Sequence, residues 1–351
     1  MGHELTIEPL GETITVEDDQ TILDACLRAG IWLPHACGHD CGTCKIEVAD
    51  GEVDHADASD FALMEFERQE GKTLACTARL LSDVTIEAEI DEDPDQRRIA
   101  IADHTATVAA IVDLTHDVKG IRLDLGGASL DFQAGQYINL DIPGIAGSRA
   151  FSIANPPGES GHVDLQIRRV PGGRGTGWLH DHLKIGDRLS LTGPFGRFFV
   201  RRSRGGPLIF LAGGTGVSSP RAMILDLLAS GYGEPMTLVH GVRTAADLYG
   251  REEFEALAAR HPDFRYVPAL SDEPADSGWQ GARGFVHEVA NALFDGNFEG
   301  QTAYLCGPPP MIEACIGALM KGRLFERHIF TERFLTAGDS ATKKSPLFRG
   351  I

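Results

Sequence analysis

The chain has 351 residues and a formal net charge of −19; that length exceeds an ordinary single domain, so two or three domains with separate cores are expected. The charge is concentrated: residues 1–100 hold 24 acidic against 7 basic side chains, and the remainder is nearly neutral, a balance that argues against binding nucleic acid or an anionic membrane. The start lacks a basic stretch followed by an apolar core, and no apolar run approaches the ~20 residues needed to cross a bilayer, so a cytoplasmic location is expected.

Residues 4–17 alternate apolar and polar side chains around Gly11, which predicts a β-hairpin. Thr21 then opens a helix carrying Cys26 on its apolar side and stopping at Gly30. A loop with Cys37, Cys41 and Cys44 runs into a strand from Cys44 to Ala49. A helical stretch over 57–69, Cys76 and a last strand over 84–90 complete a small mixed unit, residues 1–92, resembling a β-grasp. The run 91–98 is charged, contains Pro94 and has no periodicity, so a linker is predicted over 93–103. Residues 104–203 show short alternating strands with Gly and Pro turns, as in a small antiparallel β-barrel. Over 204–351, apolar strands near 208–212, 236–242, 265–269 and 302–306 alternate with helical patterns, which predicts a parallel α/β sheet. The expected fold class is thus multidomain, α+β and α/β.

Seven cysteines, an odd number with three crowded together, argue against a disulfide framework and for metal or cluster ligation. Soft thiolates suit zinc and iron–sulfur clusters alike, so spacing alone leaves the metal open. The stretch Pro34-His-Ala-Cys37-Gly-His-Asp-Cys41-Gly-Thr-Cys44, with Leu74-Ala-Cys76 beyond it, resembles the plant-type [2Fe-2S] ferredoxin loop. That resemblance implies ligation by Cys37, Cys41, Cys44 and Cys76. The sequence departs from the family where three residues, not four, separate Cys37 from Cys41, which removes a backbone N–H donor; a zinc site or a degenerate loop are the alternatives. His39 and Asp40 read as solvated loop residues, and Cys26 and Cys315 as small core residues.

Arg149-Ala-Phe151-Ser152 follows Phe132-Gln-Ala-Gly-Gln-Tyr137 at a barrel strand and resembles the Arg-x-Tyr/Phe-Ser signature of the ferredoxin reductase superfamily. The residue types suit FAD: arginine pairs with a diphosphate, the ring packs on the flavin, and the serine hydroxyl can bond at N5. The glycine-rich turn Gly172-Gly-Arg-Gly175-Thr176 leads into a helix whose N–H groups would take the pyrophosphate. The same resemblance implies flavin contacts at Ile167 and Arg168.

Leu208-Ile-Phe-Leu-Ala-Gly213-Gly214-Thr215-Gly216-Val-Ser-Ser-Pro220 is an apolar strand, a glycine turn and a helix start, suited to dinucleotide phosphates. It resembles the nicotinamide turn of the same superfamily, with one more residue than usual before the proline. Cys306-Gly307-Pro308 resembles the superfamily motif whose cysteine borders the nicotinamide C4, and Phe330-Thr-Glu332-Arg-Phe334 its acidic and aromatic end, Phe334 covering the flavin. By that match Ser152, Cys306 and Glu332 are the catalytic candidates. The second strand ends at Arg243 with Asp247 soon after and no dense basic cluster for a 2′-phosphate, which favours NADH over NADPH and leaves Arg243 as a candidate contact to the adenosine phosphates.

Over nearly the whole chain the order of parts is similar to the reductase components of bacterial multicomponent monooxygenases, and most of all to the phenol hydroxylase reductases. The resemblance implies electron flow from NADH to FAD, to a [2Fe-2S] cluster, and on to a diiron hydroxylase partner, with substrate oxidation on that partner. A monomer is expected. The competing readings are a reductase for an alkane monooxygenase or a ring-hydroxylating dioxygenase, and a zinc-binding or redox-sensing protein.

Overall fold

The computed structural model describes residues 2–35, 41–90 and 93–334. The chain divides into two compact units, Met1–Ala102 and Asp103–Ile351.

In the first unit, Glu12–Val16, His3–Glu8, Val84–Glu87, Lys45–Asp50 and Lys72–Leu74 lie side by side in one sheet. The hairpin His3–Glu8 with Glu12–Val16 is antiparallel, whereas His3–Glu8 and Val84–Glu87 run parallel at the centre. Leu5 and Ile7 are fully buried while their neighbours face outward, the period of two that one covered face imposes. Helix Ile22–Arg28 packs Ile22, Ala25, Cys26 and Leu27 onto that face. Thr21 caps it, the hydroxyl accepting from the Asp24 N–H at 3.2 Å, and Gly30, at φ +73°, turns the chain away.

Only Glu65–Gln69 of the predicted 57–69 helix is helical. Upstream, short polar side chains bind their own backbone: Asp54 accepts from the Ala56 N–H at 2.9 Å and Ser59 from the Phe61 N–H at 3.3 Å. Such local bonds compete with the helical ladder. Ala62 and Leu63 are buried in the resulting turns. Of residues 93–103, predicted as linker, 93–101 are irregular but fastened to the first unit, whereas Ala102 and Asp103 begin the strand Ala102–Asp113. Arg98 grips Glu12 at 2.6 and 2.5 Å, the Ile101 N–H donates to the Leu27 carbonyl at 3.1 Å, and Ile101 is buried.

The second unit opens with a six-stranded sheet in the order Arg149–Ser152, Tyr137–Leu140, Arg188–Phe195, Ala102–Asp113, Val118–Asp124, His162–Arg168. Its pairings are antiparallel, and it curls so that its end strands approach one another around a core including Val108, Leu123, Ile138, Leu165 and Ile167. A second sheet follows, all parallel: Ala282–Arg283, Phe264–Leu270, Met236–Val242, Leu208–Gly213, Thr302–Gly307, Ile329–Arg333. Along Leu208–Gly213 the side chains divide between two cores, Leu208, Phe210 and Ala212 on one face, Ile209 and Leu211 on the other. Helices cover both faces, which is why these strands read as unbroken apolar runs. The edge strand Ile329–Arg333 is an element that the sequence did not announce.

From Leu208–Gly213 the strand order proceeds one way to Met236–Val242 and the other way to Thr302–Gly307. That reversal opens a crevice at the carboxyl ends of the two central strands, the place where open α/β sheets bind ligands. Arg221 braces the barrel against this sheet, donating to the Ala154 carbonyl at 2.6 Å and pairing with Glu253 at 2.6 Å.

Candidate cofactor sites

Cys44 opens the strand Lys45–Asp50, and Cys76 follows Lys72–Leu74, the strand paired with it. Their sulfurs are hydrogen-bonded. The Cys76 thiol and the backbone N–H groups of Cys76, Cys44 and Ala75 face the Cys44 sulfur and hold its pKa down at about 6 against the effect of burial. The Cys76 thiol is pushed up by its bond to Cys44, by burial and by the nearby charge of Cys44 and Cys41. Three cysteines thus converge, one of them ringed by donors that favour a thiolate, which is the environment of a metal–thiolate centre. Cys37 lies outside the described residues, with His39 and Asp40.

In the barrel, Arg149, Phe151 and Ser152 stand on the strand Arg149–Ser152; Arg149 is exposed and Ser152 buried. The Arg149 guanidinium donates to the carbonyls of Ala146, Gly147 and Ser148 at 3.3, 3.1 and 2.8 Å. Its stem lies against Gly175 in the first turn of helix Arg174–Asp181: a Cβ there would stand 3.0 Å from Ile142 Cδ1 and 3.3 Å from Arg149 Cγ. The arginine and the helix start are therefore one locus, and N–H donors of these kinds fit a diphosphate. The Thr176 hydroxyl accepts from the Val170 N–H at 3.0 Å, shaping the turn. Ile167 is a core residue whose carbonyl is engaged by His180 at 3.0 Å. Arg168 pairs with Asp117 at 2.8 Å and points towards Gly214 of the second sheet.

At the crevice, Gly214, at φ +56°, begins the turn Gly214–Val217. Gly216 packs directly on the next strand, where a Cβ would stand 2.2 Å from the Cys306 carbonyl oxygen. At Gly213 a Cβ would stand 2.5 Å from Met311 Sδ and 3.2 Å from Pro308 Cδ. Cys306 is fully buried, and its register partner on the edge strand is Glu332. Burial and the Glu332 charge push the Cys306 thiol well above its ordinary value, and burial raises Glu332 to about 7. Phe334 is tied to the strand end, its N–H donating to the Gly307 carbonyl at 2.9 Å. No side-chain hydrogen bond joins Ser152 to Cys306 or Glu332 among the described residues. Arg243 stands exposed, donating to Asp247 at 3.1 Å. His116, Asp117 and Asp247 also converge, but both carboxylates are engaged by arginines.

Sequence reasoning missed Ser219, whose hydroxyl reaches Glu332 at 3.2 Å and faces the Cys306 sulfur. The one available signal was the additional residue before Pro220. It also passed over Gln166, Ser218, Tyr249 and His240, which meet behind the glycine turn.

Three segments match known families in chain order: residues 5–81 the 2Fe-2S iron–sulfur cluster binding domain, 105–200 the oxidoreductase FAD-binding domain, and 210–316 the oxidoreductase NAD-binding domain. The first span contains all four candidate cluster cysteines, the second the Arg149–Ser152 signature, and the third the glycine turn and Cys306. The chain is 56% identical over its full length, and that of the relative, to the phenol 2-monooxygenase reductase component of Pseudomonas sp. strain CF600. It is 53% identical, again over both full lengths, to the phenol hydroxylase P5 protein of Acinetobacter pittii. Among solved structures, the Amycolatopsis cytochrome P450 reductase superposes with a TM-score of 0.83 at 38% identity, covering 95% of this chain and 98% of that one.

Proposed function

Because the chain belongs to the family of iron–sulfur flavoprotein reductases that form the reductase components of phenol monooxygenases, we propose that it supplies electrons from NADH to the diiron hydroxylase of a phenol monooxygenase. Bound FAD would supply the conversion between a two-electron hydride donor and single electrons, and a [2Fe-2S] cluster would supply one-electron transfer to the partner. The observation that carries the reading is the full-length likeness together with the three cofactor segments in order.

The chain's own residues have definite tasks in this reading. Cys37, Cys41, Cys44 and Cys76 hold the cluster. Arg149 and the start of helix Arg174–Asp181, with Gly175 and Thr176, hold the FAD diphosphate, while Phe151, Ser152 and Phe334 bound the flavin, with Ile167 and Arg168 on the adjoining strand. Gly214, Thr215, Gly216, Gly307 and Pro308 admit the nicotinamide nucleotide, and Arg243 faces its adenosine end. Cys306, uncharged and fully enclosed, keeps water from the place of hydride transfer. Glu332, a carboxyl that titrates near neutrality, can hold or release a proton beside it. On this reading the protein is a cytoplasmic monomer; Cys26, Cys306 and Cys315, buried and without a disulfide partner among the described residues, suit a reducing compartment.

The test is Cys41→Ser in the purified holoenzyme. The cluster absorbance and electron delivery to the hydroxylase should disappear while NADH-to-ferricyanide activity persists; equal loss of both activities contradicts the scheme. Iron and acid-labile sulfide in the parent separate a cluster from zinc or an empty loop. The likeness to a cytochrome P450 reductase favours one second reading, a different oxygenase partner, which reconstitution with separate hydroxylases would decide.

A further inference from the structure

Behind the turn Gly214–Val217 lies a group of polar side chains to which none of the tasks above gives a role. His240 sits on the strand Met236–Val242 opposite Ala212, fully buried. Its Nε2 lies 3.1 Å from the Gly214 carbonyl oxygen, so that nitrogen carries the proton and donates. Burial holds the ring pKa at about 4, and the ring is neutral at ordinary pH. Its Nδ1 is enclosed with no hydrogen-bond partner. An aliphatic side chain would fill this space without that desolvation penalty, so the hydrogen bond to Gly214 is what the imidazole adds.

The next carbonyl is held as well. Ser218 Oγ lies 2.9 Å from both the Thr215 carbonyl oxygen and Gln166 Oε1. The Tyr249 hydroxyl donates to the same Gln166 oxygen at 3.2 Å, and its ring meets His240 edge-on at 5.8 Å. Gln166 comes from the barrel strand His162–Arg168, so the brace spans both cofactor-bearing parts of the unit. In a planar trans peptide the N–H points opposite to the C=O. Fastening the Gly214 and Thr215 carbonyls inward therefore aims the Thr215 and Gly216 N–H groups away from the buried ring, at the crevice end of the central strand, where backbone donors receive a dinucleotide.

We propose that His240 is a positioning residue for the nicotinamide dinucleotide: by tying back the Gly214 carbonyl it presets the N–H donors of the turn, with Ser218, Gln166 and Tyr249 completing the brace. The inference rests on the reading that this crevice takes NADH. Preorganisation of this kind acts on affinity more than on the chemical step.

Calorimetric titration of NAD+ into oxidised holoenzyme tests it, with FAD content read from absorbance. His240→Leu should weaken NAD+ binding about tenfold, the scale of one lost hydrogen bond, with FAD content retained and flavin reduction at saturating NADH slowed less than affinity falls. His240→Gln, whose amide nitrogen reaches the Nε2 position, should restore most of the affinity, and His240→Asn, being shorter, should not. Parent-like binding by the Leu variant, or equal affinities of the Gln and Asn variants, overturns the proposal; if the Leu variant does not fold, the Gln and Asn pair decides alone. Failure of the underlying reading looks different, because the parent holoenzyme itself would then neither bind NAD+ nor lose its flavin absorbance with NADH.

Discussion

The Ser219 hydroxyl donates to the Glu332 carboxylate at 3.2 Å, across 113 residues of sequence, and so joins the first turn of one helix to the edge strand of the sheet. Burial raises the Glu332 pKa to about 7, and this hydrogen bond pulls it the other way. Ser219→Ala removes only the second effect. The Glu332 titration should move up by roughly one pH unit, the value of a hydrogen bond to a charged acceptor. Stopped-flow reduction of the flavin by NADH as a function of pH reads the midpoint; one that stays in place would assign control to another group.

Glu332 and His240 act on stability in opposite directions. His240 titrates at about 4 in the folded chain against 6.5 ordinarily, so its contribution is complete above pH 6.5 and is lost as pH falls towards 4, the unfolded chain taking the proton first. Glu332 titrates at about 7 against 4.5, so its contribution is complete below pH 4.5 and is lost as pH rises through 7. Each amounts to about 3 kcal/mol. Over the shared range they nearly cancel. Glu332→Gln removes one, and its unfolding free energy should gain about 3 kcal/mol on the parent between the two Glu332 values. Denaturant titrations across that range check this, and a constant gap between variant and parent refutes it.

At Gly216 an added Cβ would stand 2.2 Å from the Cys306 carbonyl oxygen and 2.9 Å from Gly307 Cα, both backbone atoms of the neighbouring strand. Gly216→Ala should therefore cost about 1–3 kcal/mol by overpacking and raise KM for NADH by parting the turn from the strand Thr302–Gly307. Gly317→Ala is the control. It lies within helix Pro309–Lys321 with nothing within 4 Å of its Cβ position, and should stabilise by about 1 kcal/mol. Equal unfolding midpoints for the two variants would contradict the packing argument.

Much of the molecule was legible along the chain because the signals are local. Apolar runs such as Leu208 to Ala212 must be buried on both faces, and a glycine turn at a strand end marks a phosphate-binding bend wherever it occurs. The helix expected over 57–69 is shortened for an equally local reason, the bond of the Ser59 hydroxyl to its own backbone. Residues 329–333 gave no strand signal because an edge strand with half-buried residues need not be an apolar run; its place depends on pairing with Thr302–Gly307.

Sequence alone determined the order of the cofactor segments and the residues that their motifs contain, since a motif needs only neighbours a few positions apart. Tertiary structure decided which side chains support them. Gln166 meets Ser218 across 52 residues and Tyr249 across 83, and the proton-bearing nitrogen of His240 is set by a carbonyl 26 residues away. Hydrogen bonds of that reach arise only when sheets and helices have closed, because burial creates the demand for partners and packing determines which partners are there to meet it.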